Sequence, residues 1–199
     1  ILSKHYTSDI DLHDSDFELA EKHMYYFYNT IKEMEEFIAI NKGSEKMEIL
    51  KDEIPNTIVS KFIEVMDDDF NSVLAIANLF TIFKYANNIM KTAKKESKNI
   101  VANTLAKILR DLKSVYQILG FFEQNPEGFL LEIREKHLRK LKIDVNDIEN
   151  QISKRAEAKK NKDFETADAI RNKLEEKGII LKDTKNGTIW DLKALYNFN

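Results

Sequence analysis

Residues 154–190 gather the side chains suited to gripping a phosphodiester backbone and reading unpaired bases. From Lys154 to Lys162, the five basic residues Lys154, Arg155, Lys159, Lys160 and Lys162 stand against one acid, Glu157. Residues three and four apart share a helix face, so Arg155, Lys159 and Lys162 would line up towards a single phosphate strand. A second basic run, Arg134, Lys136, Arg139, Lys140 and Lys142 against Glu135, lies upstream. Taken alone, each run reads first as a solvated helix face, since charge runs usually mean nothing more. Phe164 reads either as a platform on which a base stacks or as a core aromatic of its helix. Asp168 and Asp183 have the wrong sign for phosphate. A carboxylate accepts two hydrogen bonds from guanine's Watson–Crick edge or one from the cytosine amino group, so an aspartate beside RNA discriminates rather than grips. The plainer alternatives are a surface carboxylate at Asp168 and a turn-stabilising one at Asp183. Trp190 reads as the packing anchor of a hairpin.

These residues need a compact scaffold, and the helical punctuation predicts one. Asp144 caps a helix running towards Asn161, and Asp163 caps the next, with Phe164, Ala167, Ile170 and Leu174 facing inward until Gly178 stops it. Ile179 to Lys182 and Thr188 to Asp191 read as strands around an Asn186-Gly187 turn signal, with a loop longer than two residues. Upstream, Ser15-Asp16-Phe17-Glu18 is a capping-box pattern opening a helix to about Ile40, with Leu19, Tyr26, Ile31, Met34 and Ile38 sharing a face. A loop at Asn41-Lys42-Gly43-Ser44 follows. Pro55 suits the first turn of a second helix to about Met66. Asn71 caps a third with the stripe Leu74, Ala77, Phe80, Phe83 and Ala86. A fourth runs from about Ser97 to Gly120, with Leu105, Ile108, Leu112, Tyr116 and Leu119 repeating at three and four. The fold class expected is mainly α: an antiparallel helical bundle over residues 1–122, then a small helical domain over 123–199 ending in a short β-hairpin. Asn125-Pro126 marks the boundary, a short helix runs from about Pro126 to Leu141, and Leu192 to Asn199 receive no assignment.

Composition narrows the function classes. A formal charge of −3 over 199 residues argues against indiscriminate coating of nucleic acid, so binding must come from a local patch. With no Cys there is no disulfide, thiolate metal site or cysteine nucleophile, and the four scattered histidines His5, His13, His23 and His137 build no zinc site. Met66-Asp67-Asp68-Asp69 reads as a helix start and cap, not a metal site. Five Gly and two Pro point to long helices. No apolar stretch is expected to span a membrane, and a start on Ile1 without a signal peptide is read as a cytoplasmic chain lacking an N-terminal part.

Several motifs, in order, resemble cysteinyl-tRNA synthetases. Leu2-Ser3-Lys4-His5-Tyr6-Thr7-Ser8 is similar to the family's Ser-x-His-Tyr-Arg-Ser, Phe27-Tyr28-Asn29-Thr30 to Leu-Tyr-Asn-Thr, and Met66 to Ser72 to Met-Asp-Asp-Asp-Phe-Asn-Thr. Leu119-Gly120 and Asn125-Pro126 echo the exit from the family's bundle. The run from Arg155 to Trp190 resembles its C-terminal end: basic residues, Lys-Asp-aromatic, Ala-Asp, Ile-Arg, Gly-Ile, Asp-Thr and Gly-Thr-x-Trp. The resemblance implies the tRNA-binding portion of a cysteine–tRNA ligase, acting as a monomer on tRNA for cysteine and reading its GCA anticodon, with no membrane role. It implies RNA contacts at Arg155, Lys159, Lys160, Lys162, Phe164, Asp168 and Asp183, with Phe164 stacking beside a base. No cofactor is expected in this chain. ATP and zinc belong to the parent's catalytic domain, whose His-Ile-Gly-His and Lys-Met-Ser-Lys-Ser signatures are missing, and Lys46-Met47 is followed by Glu48-Ile49. Without those signatures the chain alone should be inactive. Lys159 stands where many members carry Arg, which keeps the charge but loses the planar fork. Two alternatives are the scaffold of a ligase joining cysteine to a small molecule, which has no reason to keep the basic helix and Asp-bearing hairpin, and a helical interaction domain without a nucleic-acid role, which leaves the ordered motifs as coincidence.

Overall fold

The computed structural model describes residues 2–3, 7, 9, 11–41, 48–184 and 187–196, with nothing said of the side chain at 196. The Lys46-Met47 pair, the greater part of the N-terminal motif and the Asn186 position lie outside them. Among the described residues the chain forms α1 (Asp14–Asn41), α2 (Glu53–Asp67), α3 (Ser72–Thr92), α4 (Lys98–Tyr116), α5 (Pro126–Leu141), α6 (Val145–Lys160) and α7 (Phe164–Glu176). A hairpin of β1 (Ile179–Thr184) and β2 (Gly187–Leu192) and a short α8 (Lys193–Tyr196) complete it. This is the mainly α architecture with a terminal hairpin that the helical periodicity predicts.

The chain divides into two compact units, Ile1–Phe17 with Phe27–Gly128, and Glu18–Tyr26 with Phe129–Asn199. In the first, α2 packs against α3 and α4, and its core is aromatic. Phe27 stacks on Phe83 at 4.8 Å and meets Phe80 at 4.8 Å, with Phe122 edge-on to both Phe27 and Phe83. Phe62 meets Tyr116 edge-on at 4.7 Å, and the Tyr116 hydroxyl donates to the Ala75 carbonyl at 2.9 Å. Burying each such side chain stabilises by about 1.5–3 kcal/mol.

Three helix boundaries follow from side-chain caps. Asn71, Asp144 and Asp163 accept from the backbone N–H of Leu74, Asn146 and Thr166 respectively. Gly120 closes the bundle at φ 78°, in the left-handed region where Gly is unstrained. α1 opens one residue before the expected cap: Asp16, not Ser15, provides the closing contact, accepting from the His13 N–H at 3.0 Å.

Elsewhere the structure departs from expectation. The buried face of α3 is Ala75, Leu79, Ile82, Phe83, Ala86 and Ile89, whereas Leu74 is exposed. α3 is apolar on nearly every side, so periodicity does not single out one stripe. It is in fact long and apolar enough to cross a membrane by length and composition, contrary to expectation, although its inner face packs within the bundle. On α1 the buried residues are Tyr25, Phe27, Tyr28, Thr30, Ile31 and Met34, while Leu19 is exposed. The three acids of Met66-Asp67-Asp68-Asp69 end α2 rather than open α3: Asp67 is its last residue, Asp68 its C-cap, and Asp69 and Phe70 take a left-handed turn at φ 52° each.

Candidate nucleic-acid interface

The basic end of α6 turns sharply into α7. The N–H of Lys162 bonds the Lys159 carbonyl and that of Asp163 the Ala158 carbonyl, a Schellman closure with Lys162 in the left-handed position at φ 61°. Gly or Asn normally sits there, and a lysine costs on the order of 1 kcal/mol of backbone strain. Asp163 then caps α7, so three residues separate the two helix ends. Lys160, Lys162 and Phe164 are exposed on this corner, Phe164 at 61%. The inward set of α7 reduces to Ala167 and Leu174, with Ile170 partly covered. Phe164 faces solvent, and Asp168, one turn along, is also exposed.

Arg155 lies elsewhere than on the expected phosphate-facing line. Its side chain is 5% exposed and turned to the hairpin, where Nη1 and Nη2 donate to the two oxygens of Asp183 at 2.8 and 3.0 Å. Thr188, directly opposite Asp183 in the β1–β2 register, donates to the same carboxylate at 2.8 Å. Lys159, one turn on from Arg155, reaches it at 3.0 Å. The Arg155 guanidinium foremost, then the Thr188 hydroxyl and the Lys159 ammonium, hold the Asp183 carboxyl far below the usual carboxylate range. The Asp183 hydrogen bond in turn raises the Arg155 pKa, to which the charge of Asp168 adds. The structure thus joins Arg155, Lys159 and Asp183 directly and brings Asp168 into their field. Lys160, Lys162 and Phe164 form the adjoining corner.

The hairpin is held at its other end. The Trp190 indole N–H donates to Glu149 at 2.7 Å, and the Arg134 guanidinium lies over the Trp190 ring at 4.9 Å. The Tyr25 hydroxyl donates to Asp191 at 2.7 Å, and burial together with that carboxylate pushes the tyrosine pKa up. Trp190 is only partly buried, held by Glu149 and Arg134 rather than sunk in a core. The basic run of α5, by contrast, is paired: Lys136 with Glu21 and Lys140 with Glu18 at 2.7 Å each, and Arg139 with Glu135 at 3.8 Å. Local positive charge therefore concentrates at the α6–α7 corner. Thr188 is the partner of Asp183 that sequence reasoning missed; a two-residue turn at Lys185-Asn186 would have put it opposite Asp183. Arg171, exposed one turn beyond Asp168 on α7, was not singled out either.

Two family descriptions match the chain: a DALR domain over residues 61–123 and a cysteinyl-tRNA ligase anticodon binding domain over residues 146–190. The cysteine–tRNA ligase of Thermodesulfovibrio yellowstonii is 35% identical over 196 residues, covering 97% of this chain and 39% of that protein. That of Geobacter metallireducens is 33% identical over 197 residues, covering 97% of this chain and 40% of that protein. That of Geotalea uraniireducens is 31% identical over 203 residues, covering 97% and 41%. The chain thus carries the DALR and cysteinyl-tRNA ligase anticodon-binding domains, and along 97% of its length it is similar to cysteine–tRNA ligases. It spans about two fifths of the length of the curated relatives it matches. The anticodon-binding match runs from the first turn of α6 to Trp190 and contains every candidate residue, and the DALR match covers the end of α2, all of α3 and α4 and the turn to Phe122.

Proposed function

We propose that this chain binds tRNA for cysteine and recognises its GCA anticodon, as part of a protein that attaches cysteine to that tRNA at the expense of ATP. Residues 1–122 contact the inner stem and residues 123–199 read the anticodon loop, with a single copy of the chain per tRNA in the cytoplasm. What carries this reading is the exposed α6–α7 corner inside the anticodon-binding match, where Lys160, Lys162, Phe164 and Asp168 face solvent together. Lysine at Lys162, in a backbone position that favours glycine, is consistent with a cation retained for a ligand. Lys160 and Lys162 take phosphates, Phe164 stacks on a base, and Asp168 and Asp183 accept from base edges. Arg155, buried against Asp183, acts from behind the surface, and Lys159 lies between the two roles.

The test is a titration of the chain with an anticodon stem-loop RNA carrying GCA, comparing wild type with Phe164→Ala and Phe164→Tyr. Alanine is expected to weaken binding by about 1–3 kcal/mol and tyrosine to restore it. Equal binding by all three would overturn the assignment of this corner.

A further inference from the structure

The Asp183 carboxylate has about four lone-pair positions, and four protein hydrogen bonds fill them. Oδ1 accepts from Arg155 and Thr188, and Oδ2 from Arg155 and Lys159. The four bonds differ in how easily they exchange. Arg155 is 5% exposed and grips with a rigid two-toothed fork, and Thr188 is held by strand register. Lys159 is 43% exposed on a flexible stem and reaches the carboxylate from the solvent side of α6. The carboxylate itself is 45% exposed, so a base edge has access to it.

We infer that Arg155 and Thr188 are positioning residues for anticodon discrimination, fixing Asp183 in one orientation, and that the Lys159 ammonium occupies the acceptor position a base amino or imino group takes. The inference rests on the base-reading role of Asp183 proposed above. When the base arrives, its N–H donor replaces the ammonium at Oδ2, and Lys159 swings to the neighbouring phosphate. The exchange keeps Asp183 fully hydrogen-bonded and its charge compensated throughout, so the buried guanidinium never faces an unpaired state. A purely structural ion pair has no need of a third, exposed donor on the same carboxylate. The charge of Asp168 also bears on Arg155.

The test uses the full chain and anticodon stem-loop RNAs carrying GCA or a change at each anticodon base in turn, with Trp190 fluorescence confirming the fold. Asp183→Asn identifies the base that Asp183 reads. Arg155→Lys, which keeps the buried charge but loses the fork, and Thr188→Val are expected to lose the preference at that same base by about tenfold, leaving the other two bases discriminated as before. Thr188→Ser retains the preference because it keeps the hydroxyl. Lys159→Met also retains it, since the position vacated is the base's own. If Asp183→Asn removes a preference that Arg155→Lys and Thr188→Val leave intact, or if those two weaken all RNAs equally, the positioning role is overturned. Loss of the preference in Lys159→Met overturns the exchange. If Asp183→Asn changes no preference at all, the base-reading role itself fails.

Discussion

Asp183→Asn tests the clamp in the absence of any RNA. The substitution keeps the shape of the side chain but leaves the Arg155 guanidinium, 5% exposed, facing a neutral amide. Breaking a fully buried pair costs about 3–5 kcal/mol. Here the carboxylate side is 45% exposed, so water makes good part of the loss, and about 1.5–3 kcal/mol is the fitting range. For a unit of this size each kcal/mol moves the melting midpoint by roughly 4–8 °C, giving a drop of about 6–24 °C. The single tryptophan, Trp190, sits in the same hairpin, so its fluorescence follows this transition. A pH arm sharpens the test. The folded carboxyl is held below its unfolded value of about 4, so its contribution is complete above that pH and is lost as the pH falls further. Wild type should therefore lose stability on acidification below about pH 4 more steeply than the asparagine variant. An unchanged midpoint, or identical acid limbs for the two proteins, would refute the clamp.

Other outcomes follow from the same geometry. Lys162→Gly relieves the left-handed strain and should stabilise the protein by up to about 1 kcal/mol while weakening RNA binding, a pairing that calorimetry and titration together would reveal. Lys160→Ala should weaken binding to all RNA sequences alike and reduce the slope of log affinity against log salt by about 0.7–0.9. Phe83→Ala, at a position with no exposed surface in the aromatic core, should destabilise its unit by about 3–5 kcal/mol in a denaturant titration and leave the α6–α7 corner intact.

The caps at Asn71, Asp144 and Asp163 were legible because a capping side chain satisfies donors two or three residues away, wholly within the local sequence. The hairpin was legible, yet its loop is shorter than expected: Thr184 pairs with Gly187, which lengthens both strands. The exposure of Phe164 was not readable, because the first turn of a helix carries core and surface aromatics alike. Nor was the burial of Arg155. Within α6 it has the spacing of a solvated cation, and its partner lies 28 residues on, across the hairpin. The pairing of Lys136 and Lys140 on α5 was hidden for the same reason, since their acids, Glu21 and Glu18, sit on α1, more than a hundred residues upstream. Local chemistry therefore predicts where elements begin and end, and long-range pairing decides which charges remain available to a ligand.

The most direct test of the central claim is the affinity of this chain for tRNA for cysteine and for the same tRNA with a changed anticodon, each at low and moderate salt. The account predicts a preference for GCA that persists as salt weakens both affinities. Equal affinities that vanish together with salt would reduce the corner to a basic patch and contradict it.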